Sequence, residues 1–143
     1  MATTPPGVNQ LISAIFSKLN TDGTLTGNLG SYNSNPAIFS GELIPPTTGS
    51  PFVSIRPVVS QTDLDDKTNF RMVFGIDIEL YSEGRESQSI LNTITDRTIV
   101  LLHKTSLTLA TDSLLQGRLT GRTEAPTEDR LSGTILSFEF IVI

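Results

Sequence analysis

His103 is the residue whose type most readily supports catalysis, because it is the only histidine in this chain of 143 residues. An imidazole acts as a general base when a nucleophile and an orienting carboxylate lie beside it. Ser106 and Asp112 follow in the sequence, but no pattern places either of them at the ring. His103 also precedes Lys104 at the predicted end of a helix, where the helix dipole favours a cation. We therefore interpret it as a helix-terminal cation and predict that the chain is not an enzyme.

Asp63, Asp65 and Asp66 form the acidic cluster that most resembles a cation site. A calcium-binding loop beginning at Asp63 would need glycine at its sixth position and an acidic residue at its twelfth. Thr68 and Phe74 occupy those two positions. The cluster therefore indicates a solvated polar loop, and we expect no metal ion.

The glycines of the chain do not indicate a phosphate-binding loop. Gly23, Gly27 and Gly30 form a loose series that follows a predicted helix rather than a strand. The series also lacks the Lys-Ser or Lys-Thr pair that completes such a loop and holds phosphate and Mg²⁺. We therefore expect no nucleotide or other cofactor.

The charge of the chain argues against a nucleic-acid-binding protein. The net charge is −5 at pH 7, whereas a protein that neutralises phosphates needs a basic surface. The chain has no Trp and only two Tyr, which limits base stacking. Arg118, Arg122 and Arg130 lie near one another in sequence, and carboxylates of a neighbouring subunit suit them better than phosphates do.

The absence of cysteine excludes disulfide bonds and thiolate metal sites. Residues 1–9 have neither the basic nor the apolar stretch of a signal peptide, and no apolar run approaches the ~20 residues of a membrane span. We expect a protein that folds in the cytosol and has no membrane partner.

Two helices and several strands must position these residues. Apolar residues recur at helical spacing over 8–20 and 86–103, and they alternate with polar residues over 70–81. The remaining predicted strands cover 37–44, 52–59, 114–122 and 133–143, and 107–110 is predicted as a short strand or a turn. Pro51 and Pro57 place the second of these at a sheet edge or a bulge. The long loops are predicted at 21–36, 60–69 and 123–132.

This order of elements predicts an α+β fold, with a mainly antiparallel sheet and two helices packed on one face. No second domain boundary is visible, so we expect one domain over 1–143, with 1–7 as a flexible N-terminal arm.

The chain also resembles the tail completion or tail terminator family of long-tailed bacteriophages. The resemblance runs through most of the chain: the N-terminal amphipathic helix, the Pro-aromatic strand at 51–55, the strand end at 76–82, the helix carrying Ile90, Ile94 and Leu101, the turn Glu128-Asp129-Arg130 and the strand at 137–140. Tyr81 stands where the family's pattern often has Trp.

The resemblance implies a structural role in a virion. Proteins of this family form a six-subunit ring at the head-proximal end of the tail tube, where the ring stops tube polymerisation and joins the tail to the head or neck. Implied partners are other copies of the chain, the tail tube protein and a neck or head-completion connector. DNA would pass through the lumen without sequence-specific binding. The implied location is the tail or neck of a virion that assembles in the host cytoplasm.

The polar segments 61–69 and 123–131 are the expected contacts with a neighbouring subunit or with the tube. We expect the N-terminal arm to order on assembly. The candidate ring-forming ion pair joins Asp65 or Asp66 to Arg122 or Arg130. The full set of candidate interface residues is Asp65, Asp66, Lys67, Arg122, Glu128, Asp129 and Arg130.

Two alternatives remain open from the sequence. The first is another structural role in the same particle, as a neck connector or a tail tube subunit, and a tube subunit would form filaments. The second is a monomeric module that binds a small ligand in a pocket under 21–36.

Overall fold

The computed structural model describes residues 8–40, 49–66, 69–83, 87–108, 114–124 and 131–142. These residues form three helices: α1 (Val8–Asn20), α2 (Gly23–Thr26) and α3 (Ser87–Leu102). They also form eight strands: β1 (Ser31–Tyr32), β2 (Asn35–Pro36), β3 (Ile38–Ser40), β4 (Phe52–Asp66), β5 (Asn69–Glu83), β6 (Ser106–Thr108), β7 (Leu114–Glu124) and β8 (Leu131–Val142).

The main sheet of the described residues has six strands in the order β3-β4-β5-β8-β7-β6. β3 runs parallel to β4, and every other neighbouring pair is antiparallel. The predicted α+β fold with a mainly antiparallel sheet is confirmed. Among the described helices, none has the length and hydrophobicity that a membrane crossing requires.

The core lies between the sheet and the two long helices. Alternate residues of the central strands β5 and β8 are buried, because successive side chains of a strand point to opposite faces. The helices contribute residues spaced by three or four positions, as an amphipathic helix does. The largest fully buried side chains include Leu11, Ile15, Leu19, Ile76, Ile78, Leu80, Leu91, Ile94, Phe138 and Phe140.

Two predicted loops are more ordered than their sequences indicate. The segment 60–69 was expected to be a loop, but β4 continues to Asp66 and β5 begins at Asn69, with Asp65 opposite Phe70. Cross-strand pairing outweighs the low β-propensity of Asp here. The register of β4 shifts between Pro57 and Gln61, which confirms the predicted bulge. β4 itself lies between β3 and β5, so the edge alternative is wrong where β3 covers it.

The segment 21–36 holds α2 and the hairpin β1–β2 instead of an irregular loop. The hairpin turns through Asn33 at φ 50 and Ser34 at φ 66, and two positive φ values define a tight turn that Asn favours. The predicted helix 86–103 is confirmed as α3, and the strands 107–110 and 133–143 are confirmed over β6 and β8.

Asp22 joins this segment to the helix layer. Its side chain caps α2 by accepting a hydrogen bond from the Leu25 N–H at 2.9 Å. Both carboxylate oxygens also accept from Arg97 of α3, Oδ2 from Nε at 2.9 Å and Oδ1 from Nη2 at 2.7 Å. The hydrogen bond from Arg97 lowers the pKa of Asp22 to about 2. This two-pronged contact sets the position of α2 against α3.

Candidate assembly surface

The face of the sheet that points away from the helices carries a different set of side chains from the core. On β5, Asp77, Glu79 and Tyr81 alternate with the buried apolar residues and are half-buried. On β8, Ser137 lies opposite Asp77 and Ile135 lies opposite Glu79, and both are half-buried. We call this the open face, because no described helix packs against it.

One corner of the open face combines aromatic rings with an ion pair. The rings of Phe52 and Tyr81 stack with centroids 5.2 Å apart. Beside them, Arg56 Nε lies 2.6 Å from Glu79 Oε2, and the Glu79 side chain is only 13% exposed. Burial raises the pKa of Tyr81, and the Glu79 charge adds to the rise. The corner also covers Ser54, whose buried hydroxyl has no hydrogen-bond partner in the described structure.

A second ion pair crosses the open face between β7 and β8. Arg118 Nη2 donates to Glu139 Oε2 at 3.0 Å, and the two side chains are 61% and 39% exposed. Exposed pairs of this kind contribute about 0–1 kcal/mol, so either charge can change partner at little cost. The open face thus carries fixed aromatic groups and exchangeable charges, which are features of a protein-contact surface.

Among the candidate interface residues, Arg122 is the one whose side-chain contact the structure describes. Its Nη1 lies 3.8 Å from Asp96 Oδ1 of α3, and the two side chains are 43% and 74% exposed. Such a long, solvated contact leaves the guanidinium free to bind another carboxylate.

The candidate ion pair with Asp65 does not form within one chain. Arg122 lies opposite Leu136, which lies opposite Ile78, whereas Asp65 lies opposite Phe70. Phe70 and Ile78 are eight residues apart on β5, which is about 26 Å along the strand. A pair between Arg122 and Asp65 therefore requires two copies of the chain.

The other candidate residues are less fully placed. Asp66 ends β4 opposite Asn69, beside Asp65. Lys67, Glu128, Asp129 and Arg130 lie outside the described residues, as does the N-terminal arm.

Sequence reasoning missed the corner of Phe52, Arg56, Glu79 and Tyr81. The alternation Asp77-Glu79-Tyr81 did mark an uncovered strand face, but the cross-strand neighbours depend on register.

His103 directly follows the last residue of α3, as the sequence predicts, and it makes a contact that the sequence does not indicate. Its Nδ1 accepts a hydrogen bond from the Leu119 N–H at 2.9 Å. The imidazole thereby joins the end of α3 to β7. Asp112, one of its two conceivable catalytic partners, lies outside the described residues.

A polar cavity of about 320 Å³ lies between the start of α3 and the ends of β7 and β8. Its lining consists of Gln88, Arg122, Thr123, Glu124, Ser132, Gly133 and Thr134. This lining pairs no nucleophile with a histidine base, and the cavity lies away from 21–36, where the ligand-binding alternative placed a pocket. No cluster of three or more His, Asp or Glu suited to a metal ion occurs among the residues whose structure is described.

The fold is shared with solved structures. One chain of the virion of a native gene transfer agent particle is 18% identical, with a TM-score of 0.77, and the alignment covers 97% of this chain and 98% of that one. A second solved protein, whose description names no function, is 7% identical with a TM-score of 0.63 and 97% coverage of both chains. No known family pattern and no curated protein matches the sequence. At these identities the comparison establishes the shared fold.

Proposed function

We propose that the protein is a structural component of a phage-like virion. The observation that carries this proposal is the fold likeness to a gene transfer agent virion chain, which extends over nearly the whole of both chains. A likeness end to end means that the two proteins share one complete architecture rather than a common motif. Because fold alone does not establish function, the properties of the surface must support the same conclusion.

The surface supports assembly better than catalysis. The open face presents the Phe52–Tyr81 stack and the exposed Arg118–Glu139 pair. Within the described residues, the only imidazole bonds to backbone and the cavity lacks a catalytic pair. We therefore propose a non-enzymatic role without a cofactor.

Within the virion, we place the protein at the head-proximal end of the tail tube. There a ring of copies, six by the family resemblance, would end tube polymerisation and join the tail to the neck or head. Its partners would be the tube protein and a neck connector, and DNA would pass through the lumen without sequence-specific binding. The net charge of −5 supports this last point, because an acidic surface does not retain phosphates. Assembly would take place in the host cytoplasm.

Disruption of the gene in cells that produce the particle tests this role against the other virion roles. Loss of a terminator leaves tubes of uncontrolled length, because nothing stops their growth. Loss of a connector leaves tails of normal length without heads, and loss of the tube subunit leaves no tubes. Electron microscopy distinguishes the three outcomes, and wild-type protein supplied in trans is the control. Normal particles in the disrupted strain would contradict all three.

Light scattering after size exclusion tests the ring directly. A species of about six subunits, alone or after tube protein is added, supports the ring. The alternative of a small-ligand module predicts a monomer under every condition and a melting temperature that rises with ligand.

A further inference from the structure

The hairpin formed by β4 and β5 is longer than the sheet that contains it. The pairing of β5 with β8 reaches Val73, which lies opposite Ile141. Beyond that point, among the strands that the structure describes, β4 and β5 pair only with each other, from Thr62 opposite Val73 to Asp66 opposite Asn69. We call residues 62–66 and 69–72 the hairpin arm. β8 continues one residue past Ile141 to Val142, so the arm extends about three residues, or about 10 Å, past the described end of β8.

The composition of the arm indicates that it is covered in the working assembly. A two-stranded hairpin without a third strand or a helix is marginally stable in water. The arm nevertheless contains Leu64, Phe70 and Met72. Phe70 and Met72 continue the sequence alternation of Phe74 and Ile76, both of which are buried in the core. Apolar residues on a hairpin that pairs with no third strand among the described residues invite a protein partner.

The charge of the arm indicates which kind of surface it contacts. Three acidic residues, Asp63, Asp65 and Asp66, stand between Thr62 and Val73, against two basic residues, Lys67 and Arg71. On β7, Arg118 lies on the open face, where it contacts Glu139, and Arg122 lies on the helix side, where it contacts Asp96; their side chains are 61% and 43% exposed. The intramolecular partners of both arginines are exposed carboxylates, and exchange of such pairs changes the free energy little.

The end of β7 also offers an unoccupied strand edge. β6 pairs with β7 only at Leu114–Gln116. Next along this edge, Gly117 bonds to residues 104 and 105, and Leu119 bonds to His103. No strand in the described part of the chain pairs with the outer edge of residues 121–124.

We propose that the hairpin arm of one subunit packs along residues 118–122 of β7 in the next copy of the chain. This inference rests on the proposed ring and names its subunit interface. The two surfaces differ, and Arg118 and Arg122 align with Gly75 and Ile78 of β5, about 17 and 26 Å along the strand from Phe70, so the end of the arm does not reach Arg122 of its own subunit. A contact between two different surfaces of identical subunits is heterologous, and a heterologous contact closes into a ring when the rotation permits.

A shortened arm is the first test. Replacing residues 63–72 with Asn-Gly joins Thr62 to Val73, which are opposite each other in register, through a two-residue turn. The core is retained, so circular dichroism and the melting temperature should stay close to wild type. By light scattering, we expect the wild type to form a ring and the shortened variant to remain a monomer at tenfold higher concentration.

Charge reversal is the second test and leaves the arm in place. Asp65→Arg with Asp66→Arg, or Arg118→Glu with Arg122→Glu, should each raise the concentration needed for ring assembly at least tenfold. The variant with all four changes should recover most of that loss, because the attraction is restored with opposite sign. Lys18→Glu, on α1 and away from both surfaces, is the control and should assemble like wild type.

The outcomes of these two tests distinguish a failure of the proposed ring from a failure of the proposed subunit interface. A wild-type protein that stays monomeric, even with tube protein present, overturns the ring and the interface together. A wild-type ring with an equally stable ring of the shortened variant overturns the interface alone. A shortened variant that forms the ring but no longer binds tube protein also overturns it, since the arm then contacts the tube.

Discussion

The two faces of the main sheet bury side chains by different means. On the helix side, Phe138 and Phe140 are fully enclosed by apolar neighbours. On the open side, Phe52 and Tyr81 stack on each other beside the Arg56–Glu79 pair and remain half-buried. Apolar burial is the main source of folding free energy, so the helix side holds the fold together. Changes on the open side should therefore affect assembly more than stability.

Replacing one phenylalanine on each face with alanine should give the largest difference in the free energy of unfolding between the two faces. Phe138→Ala removes a fully buried ring and leaves a cavity, so we expect a loss of about 3–5 kcal/mol in the free energy of unfolding. Phe52→Ala removes a half-buried ring at the surface, where we expect about 1–2 kcal/mol. Urea unfolding followed by circular dichroism measures both. Equal losses would mean that the open face is a second core.

Two glycines of β7 allow a finer comparison, because Gly→Ala adds a single methyl group at each position. A Cβ on Gly117 would overlap the Leu102 carbonyl oxygen and would lie 2.8 Å from Phe140 Cε1. We expect Gly117→Ala to lower the free energy of unfolding by about 1–3 kcal/mol through overpacking.

Gly121 is the matched control on the same strand, because a Cβ there has no neighbour within 4 Å. Gly121→Ala should change stability by less than about 1 kcal/mol, measured by the same unfolding experiment. A large loss at Gly121 would show that the outer end of β7 is packed more tightly than the structure indicates.

Substitution of Asp22 tests how much the stability of the helix side depends on a polar contact. Asp22→Asn keeps a capping side chain but loses the charge that binds Arg97, so we expect a loss of about 1 kcal/mol at pH 7. The pKa of Asp22 is about 2 when folded and about 3.9 in an unfolded chain. The stabilisation is therefore present above pH 4 and is lost as the pH falls from about 4 towards 2. The difference in unfolding free energy between wild type and variant should be smaller at pH 2.5 than at pH 7, measured by urea unfolding at both pH values; an equal difference would contradict the assignment.

The smallest effect is expected at the exposed pair of the open face. Arg118→Ala breaks the contact with Glu139, and we expect a change of about 0–1 kcal/mol in the free energy of unfolding. The same variant should weaken ring assembly measurably if β7 is an interface. A variant that unfolds easily and assembles normally would reverse the comparison between the two faces.

The sequence by itself determined the main elements and their buried sides. Helical spacing located α1 and α3, and alternation located β5 and β8, because the apolar residues repeat with the period of each structure. It also identified Arg122 as a candidate interface residue, since its charge and its position in a predicted strand are local properties.

The tertiary structure alone decided the contacts between distant segments. The extension of β4 to Asp66, the contact of His103 with Leu119 and the corner at Glu79 all depend on which strands are neighbours and in which register. Cross-strand partners are far apart in sequence, so no local pattern encodes them. For the same physical reason, only the assembled sheet shows that Asp65 and Arg122 lie too far apart to meet within one chain.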